Sequence, residues 1–161
     1  MRDLIVLVPD KQAEHVVRGG LSRPQALGIR PVDFKIIVDE GRDGGVRRRG
    51  SQLLRVERRQ SSHAVLILDY EGCGATDPPG QLESSLDAAL SEAWGPNGKA
   101  IVVEPEIETW IWGAETHLRE VLGWRYMEGI RTWLSQNSFD FGPSAKPLRP
   151  KEALNAVFRR V

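Results

Sequence analysis

Acidic side chains follow short apolar runs in this sequence, and their spacing limits the chemistry open to it. His63-Ala-Val-Leu-Ile-Leu-Asp-Tyr-Glu-Gly-Cys-Gly74 holds an apolar run, Ala64 to Leu68, that ends in two carboxylates one residue apart, Asp69 and Glu71. Leu4 to Val8 runs into Pro9-Asp10, with Glu14 one helical turn further on the same face. Lys99 to Val103 runs into Glu104, Glu106 and Glu108 at alternate positions. If these runs are parallel strands, all of the acids reach one carboxyl edge. Carboxylates gathered there repel one another unless something positive lies among them, and hard oxygen donors suit Mg2+ or Mn2+. Such an ion polarises a phosphate and lowers the pKa of an attacking water, the chemistry of metal-dependent phosphodiesterases. Asp69, Glu71, Glu106 and Glu108 are therefore the metal-ligand candidates. The competing duty for any single acid among them is to cap a helix.

Arginine is the second chemical signal. Residues 42–59 hold seven arginines against Asp43 and Glu57, while residues 69–120 hold eleven acids against Lys99 and Arg119. A basic stretch beside an acidic metal edge suits a phosphate backbone. Arg47, Arg48 and Arg49 are the candidates for it, with no residue type nearby that would read bases, so a nucleic-acid partner is expected to bind without sequence preference. The alternative is a solvated basic face. Gly41-Arg-Asp-Gly-Gly45 lacks the lysine and spacing of a phosphate-binding loop, which excludes an ATPase of that kind. Cys73 has no histidine placed beside it by sequence, so a nucleophilic role is not pursued.

The elements that must position these groups follow from apolar periodicity. Leu4–Val8, Pro31–Val38, Ala64–Leu68 and Lys99–Val103 read as strands. Gln12–Leu21 and Leu82–Trp94 show helical spacing, with Asp10 suited to cap the first. The glycine-rich stretch from Asp39 to Gly50 is expected to be a mobile loop, followed by a basic helix to about Gln60 with Leu53, Leu54 and Val56 facing inward. The βαβαβαβ order implies an α/β fold, a four-stranded mostly parallel sheet with flanking helices. The expected division is a domain over 1–113 and a helical extension over 114–161, with helices near 116–122, 126–134 and from Pro150 onward. Trp110, Trp112, Trp124 and Trp133 fall in that last third and are expected to pack its core, with base stacking as the alternative. The terminal helical pattern, Ala153 to Val161, runs to the last residue, as it would in a piece of a longer protein.

Bulk properties narrow the field further. The 161 residues are 40% hydrophobic and 27% charged with a formal net charge of zero, which excludes a uniformly basic nucleic-acid binder. One cysteine excludes a disulfide framework and points to a reducing cytoplasm. No apolar run is long enough for a signal peptide or a membrane span.

Asp10 with Glu14, the pair Asp69-Tyr70-Glu71 and the βαβαβαβ order together resemble a TOPRIM domain, the catalytic module of topoisomerases, primases and overcoming-lysogenization-defect nucleases. Pro105-Glu106-Ile107-Glu108-Thr109-Trp110 is similar to a segment of small stand-alone TOPRIM-like proteins encoded with bacterial phage-defence systems. The resemblance covers about residues 3–113. It implies that Asp10 acts as acid–base or metal residue, with Glu14 beside it, and that Asp69 and Glu71 take the metal-binding positions. It also implies Mg2+ or Mn2+ as cofactor and other defence-system proteins as partners. Lys146-Pro-Leu-Arg-Pro-Lys151 resembles a lysine-bearing element near the end of such proteins, which makes Lys146 and Lys151 further nucleic-acid candidates. Two positions depart from the family pattern: Asp10 stands for a glutamate and Glu71 for an aspartate, each changing carboxylate reach by one methylene. The expected function is a metal-dependent phosphodiesterase or nuclease acting in anti-phage defence. The rival is a degenerate, non-catalytic subunit of a defence complex. A receiver-like regulator phosphorylated on Asp69 is disfavoured, because the acids after the first strand do not form the adjacent pair that such domains use.

Overall fold

The apolar runs become the strands of one parallel sheet: β1 (Arg2–Val8), β2 (Phe34–Val38), β3 (Ser61–Asp69) and β4 (Gly98–Val103). Their spatial order is β2-β1-β3-β4. The central strands are apolar over Leu4–Val8 and Ala64–Leu68 because helices cover both faces, and Ile5, Leu7, Leu66 and Leu68 are fully buried. Register sets Leu7 beside Leu66 and Asp69 beside Val103. The fold is α/β with a four-stranded, all-parallel sheet, as the element order implies. This computed structural model describes residues 1–161, which divide into two units, Met1–Val103 and Glu104–Val161.

In the first unit, α1 (Lys11–Leu21) buries Ala13 and Val17, one turn apart, and begins at Asp10, whose side chain accepts the Ala13 N–H at 2.8 Å. A short helix, α2 (Pro24–Leu27), ends at Gly28 with φ 65°, a left-handed cap that suits glycine. The sharpest difference from expectation is α3 (Arg42–Val56): the stretch read as a mobile loop is a helix from Arg42 onward. Its glycines serve close packing. A Cβ at Gly50 would stand 2.4 Å from Leu66 Cδ1 and 3.1 Å from Leu7 Cδ2, so the helix lies directly on the sheet. Val46, Gly50 and Leu54 form its inward row, four residues apart, while Leu53 and Val56, expected inward, face solvent. Tertiary burial here outweighs the low helix propensity of glycine. The last helix of the unit, α4 (Pro79–Trp94), opens on a proline and buries Leu82, Leu86, Leu90 and Trp94 at fourfold spacing.

The second unit is helical: a 3-10 turn (Ile107–Trp110), α5 (Glu115–Leu122), α6 (Ile130–Gln136) and α7 (Pro150–Arg160). Its own core collects Trp112, Leu118, Trp124, Ile130, Leu134, Leu154 and Val157. The two buried indoles are satisfied: Trp112 Nε1 donates to the Pro150 carbonyl at 3.1 Å and Trp124 Nε1 to the Glu128 carbonyl at 2.8 Å. Trp110 departs from its expected core role and is 45% exposed. No helix is long and apolar enough to cross a membrane.

Candidate metal centre

Strand order determines where a parallel sheet opens. The chain leaves β1 toward β2 on one side and returns to place β3 on the other, so the crevice lies beyond the carboxyl ends of β1 and β3. Asp10 follows β1 and Asp69 ends β3. The backbone N–H of Asp69 donates to Asp43 Oδ1 at 2.8 Å, which ties the strand end to the first turn of α3. The Tyr70 N–H donates to the Val103 carbonyl at 2.8 Å, extending the ladder by one step. Beyond it, Gly72 and Gly74 take φ of 82° and 71°, conformations that side chains resist, and Arg47 Nε holds the turn by donating to the Cys73 carbonyl at 2.9 Å.

The acids after β4 belong to a different local structure. Glu106 and Glu108 are 8% and 1% exposed, an unusual setting for carboxylates. Glu106 Oε1 accepts the backbone N–H of Lys151 at 2.9 Å, in the first turn of α7. Lys151 Nζ stands 3.7 Å from Glu108 Oε1. Burial pushes the Glu106 carboxyl up from its ordinary range and the neighbouring charge of Glu108 adds to that, against the Lys151 hydrogen bond. A positive charge close by would reverse the shift.

Glu106 and Glu108 form a buried acidic pair of the second unit, with oxygen donors of the kind that hold a divalent metal ion, while Asp69 is half-buried at the end of β3 in the first. Donor type fits Mg2+ or Mn2+ and disfavours soft metals that seek thiolate.

Of the four metal-ligand candidates, Glu106 and Glu108 are buried in the second unit, Asp69 is half-buried at the end of β3 in the first, and Glu71 is exposed. Asp10 spends one oxygen on the α1 cap. Both oxygens of Glu14 are taken, by Lys11 and Arg18 at 2.7 Å each, and its carboxyl is held at about 2, which makes it a weak proton acceptor. Among the arginines, Arg47 is engaged with the Cys73 carbonyl and Arg49 with the buried carboxylate of Asp39, while Arg48 is exposed. Lys146 lines a cavity of about 320 Å3 with Glu104 and Thr109, in the second unit.

Sequence reasoning missed Asp43, the acceptor that anchors Asp69, and Asp39, which pairs with Arg49. Both lie within the glycine-rich stretch expected to be a loop. The available signal was Val46, Gly50 and Leu54 at four-residue intervals, a helical row with a glycine in its middle. No family model, curated protein or solved structure matches this chain.

Proposed function

We propose that this chain is a divalent-metal-dependent phosphodiesterase, a nuclease-like protein of TOPRIM type that uses Mg2+ or Mn2+, with Asp69, on the resemblance, and Glu106 and Glu108, on their burial, as its ligands. The observation that carries the reading is the burial of Glu106 and Glu108, two carboxylates one residue apart and nearly excluded from water. Buried acids at this spacing must be protonated or matched by positive charge. Lys151 places one ammonium 3.7 Å from Glu108 Oε1.

A metal bound there would polarise a phosphoryl oxygen and acidify a bound water. The chain's own residues supply the rest. Asp43 holds the backbone of Asp69 at the end of β3. Lys151 brings a point charge suited to a phosphate oxygen. Asp10, with one oxygen outside its cap bond, is the proton acceptor or an additional ligand, a role for which Glu14, held by Lys11 and Arg18, is less suited.

The test is to titrate Mg2+ and Mn2+ into wild type, Asp69→Asn and Glu108→Gln while following thermal stability and cleavage of plasmid and single-stranded DNA. Ion at about 100 times its Kd should stabilise wild type by roughly 2.7 kcal/mol, and both variants should lose the stabilisation and the cutting. No metal response in wild type sinks the proposal. A second reading, a binding subunit without turnover, is favoured by the exposure of Glu71 and the capping role of Asp10. Metal-dependent stabilisation without cleavage would select it.

A further inference from the structure

The second unit carries a groove of about 340 Å3 lined by Trp133, Asn137, Phe139, Ala156, Arg159 and Arg160. Trp133 comes from α6 and Phe139 from the turn behind it, while Ala156 of α7 is a small residue that leaves the space between them open. Both rings are only half-buried, whereas Trp112 and Trp124 of the same unit are 1% and 4% exposed. Both rings pack against the core in part, Trp133 with its centroid 5.4 Å from that of Trp124, and the remainder of each lines the groove.

Positive charge frames these rings. The Arg149 guanidinium lies 5.5 Å from the Phe139 centroid, and that of Arg160 lies 5.7 Å from Trp133 and 4.2 Å from Tyr126. Arg159 is exposed and makes no ion pair, and the acid nearest Arg160, Glu128, stands 4.0 Å away. Aromatic faces that already carry guanidinium groups repel a cationic guest. They suit a flat base stacked on a ring with its phosphates on the arginines, the pattern of single-strand binding surfaces. A duplex keeps its bases stacked internally and offers none to such a groove.

We propose that this groove binds single-stranded nucleic acid, with a base stacked on Trp133 or Phe139 and phosphates held by Arg149, Arg159 and Arg160. The contact goes beyond the acidic centre and does not depend on it, since none of these residues belongs to the carboxylate set.

The test is fluorescence anisotropy with the whole chain in EDTA, where metal-dependent cleavage cannot consume the probe. The probes are labelled oligothymidylate and oligouridylate of about a dozen nucleotides, a duplex, and an abasic strand of equal charge. Base-bearing strands should bind about tenfold or more tightly than the abasic strand and the duplex, and the ratio of thymidylate to uridylate affinity tells DNA from RNA. Arg159→Glu should weaken binding by about tenfold and lower the slope of log K against log salt by roughly one. Phe139→Leu should narrow the gap between base-bearing and abasic strands while leaving the salt slope unchanged. Equal affinity for abasic and base-bearing strands overturns the proposal, as does unchanged binding by Arg159→Glu. Absence of binding, or self-association through the groove in sedimentation without oligonucleotide binding, overturns it too. If Phe139→Leu melts early, the abasic comparison and Arg159→Glu decide alone.

Discussion

Glu14 accepts from Lys11 and Arg18, and the two cations hold its carboxyl at about 2, below the usual 4.5. The folded carboxyl therefore binds its proton at lower pH than the unfolded one. Its contribution to stability is complete above about 4.5 and fades as pH falls toward 2. All three groups sit at the surface, so salt should screen the effect. Side-chain NMR titration is expected to place Glu14 below 4.5 at low ionic strength and to move it upward in roughly 1 M salt. A titration at or above 4.5 at low salt would show that the two pairs do not form in solution. The same physics separates this acid from Glu106. Two cations keep Glu14 ionised, while burial and a like-charged neighbour raise Glu106. Neither environment can be read from the letter E. The candidate acids were visible in the sequence, but which of them are buried together depends on neighbours distant along the chain.

Helix α3 shows how elements decide what residues can do. Its glycines lower intrinsic helicity, yet Gly50 admits the helix to within contact of Leu7 and Leu66. Gly50→Ala is expected to destabilise by about 1–3 kcal/mol through overpacking, despite the gain in helix propensity. Gly19, in α1, has nothing within 4 Å of an added Cβ, so Gly19→Ala should stabilise by about 0.5–1 kcal/mol. Urea titration of the two variants checks both signs, and a stabilising Gly50→Ala would contradict the close packing of α3 on the sheet. That packing positions Asp43 under the Asp69 N–H and Arg47 against the 72–74 turn. Strands and the longer helices were legible because alternation and fourfold spacing are local patterns. The N-terminal half of α3 was not, because its helical state rests on contacts with β1 and β3 rather than on its own residues.

Across the whole chain, equal numbers of basic and acidic residues give a net charge of zero, but the charges are segregated along the sequence. With an isoelectric point near 6.8, solubility should pass through a minimum close to that pH and rise on either side. Light scattering across pH 5 to 9 (roughly) would reveal it, and a flat profile would mean that local charge blocks, not net charge, govern association. The α/β class, the parallel order and the helical character of the last third were all determined by the sequence itself. They follow from local periodicity and from the handedness of strand crossovers, which hold wherever such patterns occur. Only the tertiary structure decided that Glu106 and Glu108 are buried while Glu71 is exposed, that Asp43 anchors Asp69, and that Arg47 and Arg49 are spent on internal contacts. Carboxylate burial and arginine pairing are set by groups far apart in sequence, whose meeting is a property of packing and not of pattern.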